Sequence, residues 1–500
     1  MAAFIVCFFV ILCVGTLLAQ ANWGGAYHSQ FDSRQRYQQG LEFLYGLEGI
    51  GLDLKEAVKW FSASKESGAK VELGYLYLMG LGVRQSIGKA RELWAKEARK
   101  GNEEAALALK AYDVMLDRMK SDMVTGTDLR SRERKHVIKD FKGWLEAAGN
   151  GDPESCFQLA EYLLLDQQIP EGIRWMEAAA ERKHLRAGTY LYVFHSLGWG
   201  MEKDQAQAKK WFTSSEKALT AAAAGGDAEA IFGLYELYDA AREMEPERKI
   251  KTDPHELLVQ SARTGLAEAQ YRLGNRYLQD FFEMVTEFNK DPQQEPGETK
   301  SDQRLPLILT GHGLFNPATQ TRLEAVSWLR LAGCQNSVKA RILLGWIHAW
   351  DTNTGQSKHQ ALKWLQLFDN DITALDCAQL GDAYLGNTIN TSLTTPSGWR
   401  TMVSLDQPVL GIGSIKMLAP ALRYYHRSAS LGLPYAMFAL GMCHLRGTGV
   451  RQSKTAAAKW LSQAAEAGHP KSQFMISRMH GSGVDVKRDK AKEMKWLLAA

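Results

Sequence analysis

The sequence predicts an all-α chain stacked from helix–turn–helix repeats of about 35 residues, and three observations carry that expectation. The pentapeptide Gly82-Val83-Arg84-Gln85-Ser86 recurs unchanged as Gly449-Val450-Arg451-Gln452-Ser453, inside the longer similar stretches 71–101 and 436–468. Most of the fourteen tryptophans recur at one position: Trp60, Trp94, Trp144, Trp175, Trp211, Trp328, Trp364, Trp460 and Trp496, with Leu258 and Tyr425 standing in. Small residues recur at another: Gly74, Ala160, Gly233, Gly274, Gly345, Gly381, Gly441 and Ser477.

Each feature has a physical reading. An alanine follows most of the tryptophans by one helical turn (Ala98, Ala148, Ala179, Ala332, Ala464), so ring and gap share a face and admit a neighbouring helix. Phe368 breaks that pattern. A glycine seven or eight positions on (Gly68, Gly101, Gly151, Gly265, Gly432, Gly468) suits a left-handed turn closing the second helix. The small residues mark close helix approaches on the first helix, and the Gly80-Leu81-Gly82-Val83 type of turn reverses the chain after it. Such a hairpin cannot bury its apolar faces alone, so the repeats must stack.

The pattern AxxxLGxxYxxGxGVxxxxxKAxxWxxxAAxxG resembles the Sel-one-like repeat (SLR) family, a relative of the tetratricopeptide repeat, over about four fifths of the chain. The resemblance implies a right-handed α/α superhelical solenoid, here of about 11 repeats over 36–500, used for protein–protein assembly in bacterial envelope, secreted or endoplasmic-reticulum-lumenal proteins. It implies no single activity. Secreted relatives associated with β-lactam binding carry a regular cysteine pair in each repeat, which this sequence lacks.

The start of the chain reads as an export signal. Asp32 is the first charged side chain, Phe4 to Ala19 is nearly all apolar, and Ala19-Gln20-Ala21 resembles a cleavage site. No Lys or Arg precedes the run, which at about 16 residues is short of the roughly 20 that span a bilayer. Cleavage after Ala21 is expected, with an uncleaved anchor as the alternative and 22–35 as a linker. Cys7 and Cys13 fall in that segment. Stacked helices lie about 8–10 Å apart, too far for most disulfides, so Cys156 is expected free, while a Cys334–Cys377 bridge stays open.

Four insertions, 113–138, 239–254, 280–321 and 387–417, replace the same intra-repeat turn and are expected along one edge. They form either a binding edge or turns that tolerate length. Asn390-Thr391-Ser392 is a glycosylation sequon. Trp346 and Trp350 are extra to the repeat; they anchor a partner if exposed on the concave face, or pack beneath an insertion. Trp399 lies in the last insertion. After Trp496 no polar capping helix follows, so the last repeat is expected to be covered by a partner or by further chain.

Chemistry-bearing motifs are weak. Gly411 to Lys416 has the wrong spacing for a phosphate loop. His348, His444 and His480 fall where other repeats carry Tyr77, Tyr277 and Tyr384, so they read as packing aromatics rather than metal ligands, as does His195 beside Trp199. A net charge of +4, with both signs interspersed, argues against nucleic acid. The expectation is a non-enzymatic scaffold without cofactor, metal or catalytic residues. It binds other proteins outside the cytosol and meets no membrane beyond its signal, and a small ligand stays open. The alternatives are a lumenal eukaryotic adaptor in glycoprotein quality control and a hydrolase with its site in the insertions.

Overall fold

The computed structural model describes residues 31–45, 52–123, 141–166, 168–250, 252–288, 317–335, 337–351, 360, 362–365, 372–385, 417–483 and 488–500. These fall into two compact units, one up to Ala106 and one from Leu107 onward. The first holds α1 (Ser33–Tyr45), α2 (Leu54–Ala63), α3 (Ser67–Met79) and α4 (Ile87–Ala98); α5 (Glu103–Met123) begins in it and continues into the second. The second continues with α6 (Phe141–Gly149), α7 (Pro153–Leu165), α8 (Ile169–Glu181), α9 (Ala187–Leu197) and α10 (Gln205–Ala223). Then come α11 (Ala228–Met244), α12 (Pro254–Thr264), α13 (Ala267–Phe288), α14 (Pro317–Cys334) and α15 (Val338–Asp351). The last are α16 (Ala374–Leu385), α17 (Leu418–Ser430), α18 (Pro434–Arg446), α19 (Lys454–Glu466), α20 (Pro470–Ser482) and α21 (Lys490–Ala499). From α1 to α4, and again from α6 to α21, each described helix packs on its successor, and α9 also touches α11 and α13 touches α15. That pattern is the all-α solenoid the repeat predicts.

The repeated pentapeptide explains itself residue by residue. Gly82 and Gly449 take φ of +68° and +72°, which a side chain strains to adopt. Gln85 Nε2 donates to Leu78 O at 2.8 Å and Gln452 Nε2 to Leu445 O at 2.9 Å, tying the turn to the end of the first helix. Ser86 and Ser453 cap the second helix, accepting the N–H of Lys89 and Ala456. Val83 and Val450 are half-buried, and Arg84 and Arg451 are exposed.

The close-packing glycines are where the spacing put them, but the ring they face is displaced by one residue. A Cβ on Gly40 would lie 2.4 Å from Phe61, on Gly74 2.3 Å from Trp94, on Gly274 2.8 Å from Leu329 and on Gly345 3.0 Å from Leu365. On Gly381 it would lie 2.6 Å from Tyr425 and on Gly441 2.8 Å from Leu461. The tryptophans therefore do not share one position: Trp94 faces its glycine, whereas in most units the residue after the tryptophan does. One residue is about 100° of helix rotation. Gly233 differs again, meeting Leu219 of the preceding α10.

The glycine that closes the second helix is left-handed at Gly101, Gly151, Gly226, Gly265, Gly432 and Gly468, with φ between +81° and +98°. Gly68 is a correction: it lies inside α3, and α2 ends instead at an extended Ser64 whose N–H reaches Trp60 O. Lys183 occupies the glycine position after α8 at φ +63°, the one non-glycine with positive φ among the described residues.

Two further departures concern helix lengths and closure. α5, α11 and α13 run on into the expected insertions, and α1 begins at Ser33, inside the expected linker. An open solenoid lets each repeat touch only its neighbours. Here Phe141 N–H donates to Leu431 O at 3.0 Å, and Phe141, Trp144 and Tyr162 share one core with Tyr425, Leu433, Ala436 and Leu440. Phe141 and Trp144 of α6 need apolar cover, and α17 and α18 supply it. All four described cysteines, Cys156, Cys334, Cys377 and Cys443, are free and buried, so no Cys334–Cys377 bridge forms.

Candidate functional site

Two arrangements in the second unit gather polar side chains. The first lies at the starts of first helices. The residue after the left-handed position is the N-cap of the next helix: Asp152 and Asp227 there accept backbone N–H groups in the usual way. Histidine stands at one such N-cap, His469 of α20, and also directly after the left-handed Lys183 as His184, two residues before Arg186, the N-cap of α9. His184 stacks on Phe157 at 4.1 Å and lies 3.3 Å from Glu154 Oε2. His469 stacks on Phe438 at 4.5 Å; its Nδ1 accepts from Ser472 N–H at 3.2 Å and lies 2.9 Å from Ser472 Oγ. That fixes the proton on Nε2, which points at Asp166 Oδ1, 3.2 Å away.

Ser472, His469 and Asp166 line up like a serine–histidine–aspartate relay but with the ring nitrogens exchanged, Nδ1 facing the serine and Nε2 the aspartate. Ser472 is fully buried and His469 is 1% exposed. A nucleophile needs a substrate path to its oxygen, and this one is the third residue of a packed helix. The triad is a capping device that ties α20 to the end of α7. Nothing in the spacing signals it, because Asp166 is three hundred positions away.

The second arrangement runs along the first helices α7, α9, α11, α13 and α15. Arg186 donates through Nε and Nη2 to the Glu236 carboxylate at 2.7 and 2.8 Å, and lies 5.1 Å from the rings of both Phe157 and Phe232. Tyr190 O–H donates to Glu161 Oε1 at 3.0 Å. Arg272 Nε lies 3.3 Å from Glu268 Oε1, and Lys339 Nζ 4.0 Å from the same atom. Burial first, then Glu161 and Glu236, push the Tyr190 hydroxyl far above the ordinary phenol range. Burial raises the Glu161 carboxyl against Arg186 and Lys339. Burial also opposes ionisation of Glu268, but Lys339, Arg272 and Arg186 outweigh it and hold that carboxyl below the usual range. Three carboxylates and three cations thus share one interior. Burying such a network carries a desolvation cost that its pairing offsets. Its sequence signal was a lone carboxylate in an apolar helix, as in Leu159-Ala160-Glu161-Tyr162, but these residues hold no common repeat position, so a search by period passes over them.

α14 and α15 bury Arg322, Arg330, Arg341 and His348, with Arg330 and Arg322 acting on the histidine. Burial, aided by Arg330 and Arg322, pulls His348 down to about 3, and burial pushes the Cys334 thiol up to about 12. His348 is therefore a neutral buried ring. No group of three His, Cys, Asp or Glu side chains able to hold a metal occurs among the described residues.

Trp346 and Trp350 lie in α15, but their side chains are outside the described residues, as is all of Trp399. Residues 1–30, Gly411 to Lys416, Asn390, Phe368 and most of the insertions are also outside them. Of the insertions, 239–254 is largely described: after α11, Arg248 pairs with Glu245 at 2.7 Å and Arg242 with Asp253 at 2.9 Å. Exposed apolar side chains gather on α20 and α21 as Phe474, Met494, Leu497 and Leu498. No described helix is long and apolar enough to cross a membrane.

The Sel1 repeat pattern matches residues 37–68, 67–102, 153–184, 186–217, 267–284, 338–368, 421–433, 434–469 and 470–500, together just over half of the chain. This chain belongs to the Sel1 repeat family. Among solved structures it is similar to a protective antigen of uropathogenic Escherichia coli strains displaying an SLR fold. That match has 20% identity and a TM-score of 0.28, and covers 94% of this chain and 84% of that one. A Sel1 repeat protein from Oxalobacter formigenes is similar at 20% identity and a TM-score of 0.29, over 76% of this chain and 94% of that one.

Proposed function

We propose that this chain is an adaptor that holds other proteins outside the cytosol, in a bacterial envelope or after secretion. The observation that carries the reading is a long array of Sel1 repeats whose first-helix glycines go into packing, while exposed residues differ between matched helices such as α4 and α19. The apolar opening segment, Phe4 to Ala19 with Ala19-Gln20-Ala21, supports export. Trp346, Trp350 and Trp399 are the proposed contact residues, since aromatic anchors dominate protein interfaces.

In-cell crosslinking of the mature chain, followed by capture and mass spectrometry, tests this. A small reproducible set of extracytoplasmic proteins is expected, with recovery reduced by Trp346→Ala, Trp350→Ala or Trp399→Ala. A chain recovered only with cytosolic proteins, or with none under several growth conditions, overturns the reading.

A further inference from the structure

The first unit gathers four lysines along the seam of α3 and α4. Within and just after α4, Lys89, Lys96 and Lys100 fall close to one face, about two turns and then one turn apart, spanning about 16 Å at 1.5 Å per residue. All three are exposed. Lys70 of α3 lies beside them, its Nζ fixed by Phe61 O and Ser62 O at 3.0 and 3.1 Å. Burial, with Lys96 and Lys100 near it, lowers its hold on the proton against the pull of Glu97. Lys89 Nζ sits 5.2 Å from the Tyr77 ring. The carboxylate among them, Glu97, is buried and already accepts Ser67 Oγ and Lys100 Nζ, each at 2.7 Å. Glu92 is exposed on the same helix, and Glu103 and Glu104 open α5, where acids suit a helix N-terminus.

The repeat does not impose these cations. From the shared pentapeptide to the shared glycine, α4 aligns with α19 without a gap, and Lys89, Arg91, Lys96, Arg99 and Lys100 correspond to Ala456, Ala458, Gln463, Glu466 and Ala467. Crowding of like charges costs free energy unless something opposite meets it. No large apolar side chain is exposed among the described residues of this unit, so the strip lacks the apolar stripe that membrane-surface helices use. Tyr77 lies beneath Lys89 rather than open as a stacking platform for bases.

We propose that the strip formed by Lys70, Lys89, Lys96 and Lys100 between α3 and α4 docks an extended acidic segment of a partner protein, an inference that rests on the adaptor reading. The test uses the full chain and a fluorescein-labelled sixteen-residue peptide of repeating Asp-Glu-Gly-Ser, with binding read by anisotropy. Replacing Lys89, Lys96 and Lys100 by Gln should weaken binding by at least about tenfold, equivalent to about 1.4 kcal/mol. The matched set Arg451→Gln, Lys454→Gln and Lys459→Gln should leave it within about twofold. Thermal unfolding followed by circular dichroism verifies the fold of each variant, and Lys96→Gln alone serves if the triple melts early. Equal weakening by both sets, unchanged affinity in the lysine set, or no binding by the parent overturns the proposal. So does tighter binding of phosphatidylserine vesicles or oligo-dT through the same lysines, which assigns the strip to another class of ligand. Crosslinked partners whose yield the lysine set leaves unchanged overturn the strip while keeping the adaptor; loss of every partner from the parent chain removes both.

Discussion

The repeat at α3–α4 and the repeat at α18–α19 share five consecutive residues, their turn and close-packing glycines and a few core positions, yet they differ at most of the others. Their left-handed glycines match to within a few degrees, Gly80 and Gly447 at +68° and +72°, Gly101 and Gly468 both at +91°. Their glutamine ties and serine caps are the same. The side chains facing the first-helix glycine are Trp94 in one and Leu461 in the other, and only Trp94 adds a hydrogen bond, from Nε1 to Val71 O at 3.2 Å. The next N-cap is Asn102 in one and His469 in the other. The repeat is thus a backbone template, and its side chains are free wherever they neither reverse the chain nor face the close approach.

Substitutions at matched positions sharpen that contrast. The largest effect is expected at the turn. Gly82→Ala adds a Cβ at positive φ, 2.3 Å from the backbone oxygen of Leu54, and should cost about 3 kcal/mol in urea unfolding. Gly449→Ala meets Leu418 Cβ at 2.8 Å and Leu422 Cδ1 at 3.0 Å, a milder approach than at Gly82, and should cost about 2 kcal/mol. Equal losses would show that strain at φ, rather than the neighbour, sets the cost. At the helix contact, Gly74→Ala, 2.3 Å from a hydrogen-bonded Trp94, should lose about 2–3 kcal/mol. Gly441→Ala against Leu461 should lose about 1 kcal/mol, and the reverse order would contradict the assignment of the facing residues.

His469→Asn keeps a capping side chain and removes both the ring stack on Phe438 and the Asp166 contact, with an expected cost of about 1 kcal/mol. A variant as stable as the parent would mean that the tie between α20 and α7 contributes nothing. The smallest effect has the opposite sign. Lys183→Gly restores the template residue at φ +63° and should stabilise the chain by about 0.5–1 kcal/mol, read as a rise in melting temperature.

Local rules made the template legible and superhelical closure hid the rest. Gly74, Gly381 and Gly441 were found from spacing alone because a missing Cβ has one structural use at that place. The tryptophans misled by one residue, since adjacent large apolar pairs such as Trp328-Leu329 and Trp460-Leu461 let either member stand as the anchor in a pattern. Gly68 misled because a glycine close to the right position is not thereby in a turn. The Arg186–Glu236 pair, the Lys339–Glu268 contact and the Phe141–Leu431 hydrogen bond join residues 50 or more positions apart, which periodicity within a repeat does not address.

The central claim is that packing is written in the template and partner choice in the outer positions. It is tested most directly by giving α4 the outer residues of α19 at Lys89→Ala, Arg91→Ala, Lys96→Gln and Arg99→Glu together, with Lys100 kept because it pairs with the buried Glu97. Melting temperature and in-cell crosslinked partners would be measured on the same variant. The account predicts a melting temperature within a few degrees of the parent, about 1 kcal/mol or less, with at least one partner lost. A variant that keeps every partner at parental yield, or one that no longer folds, would contradict it.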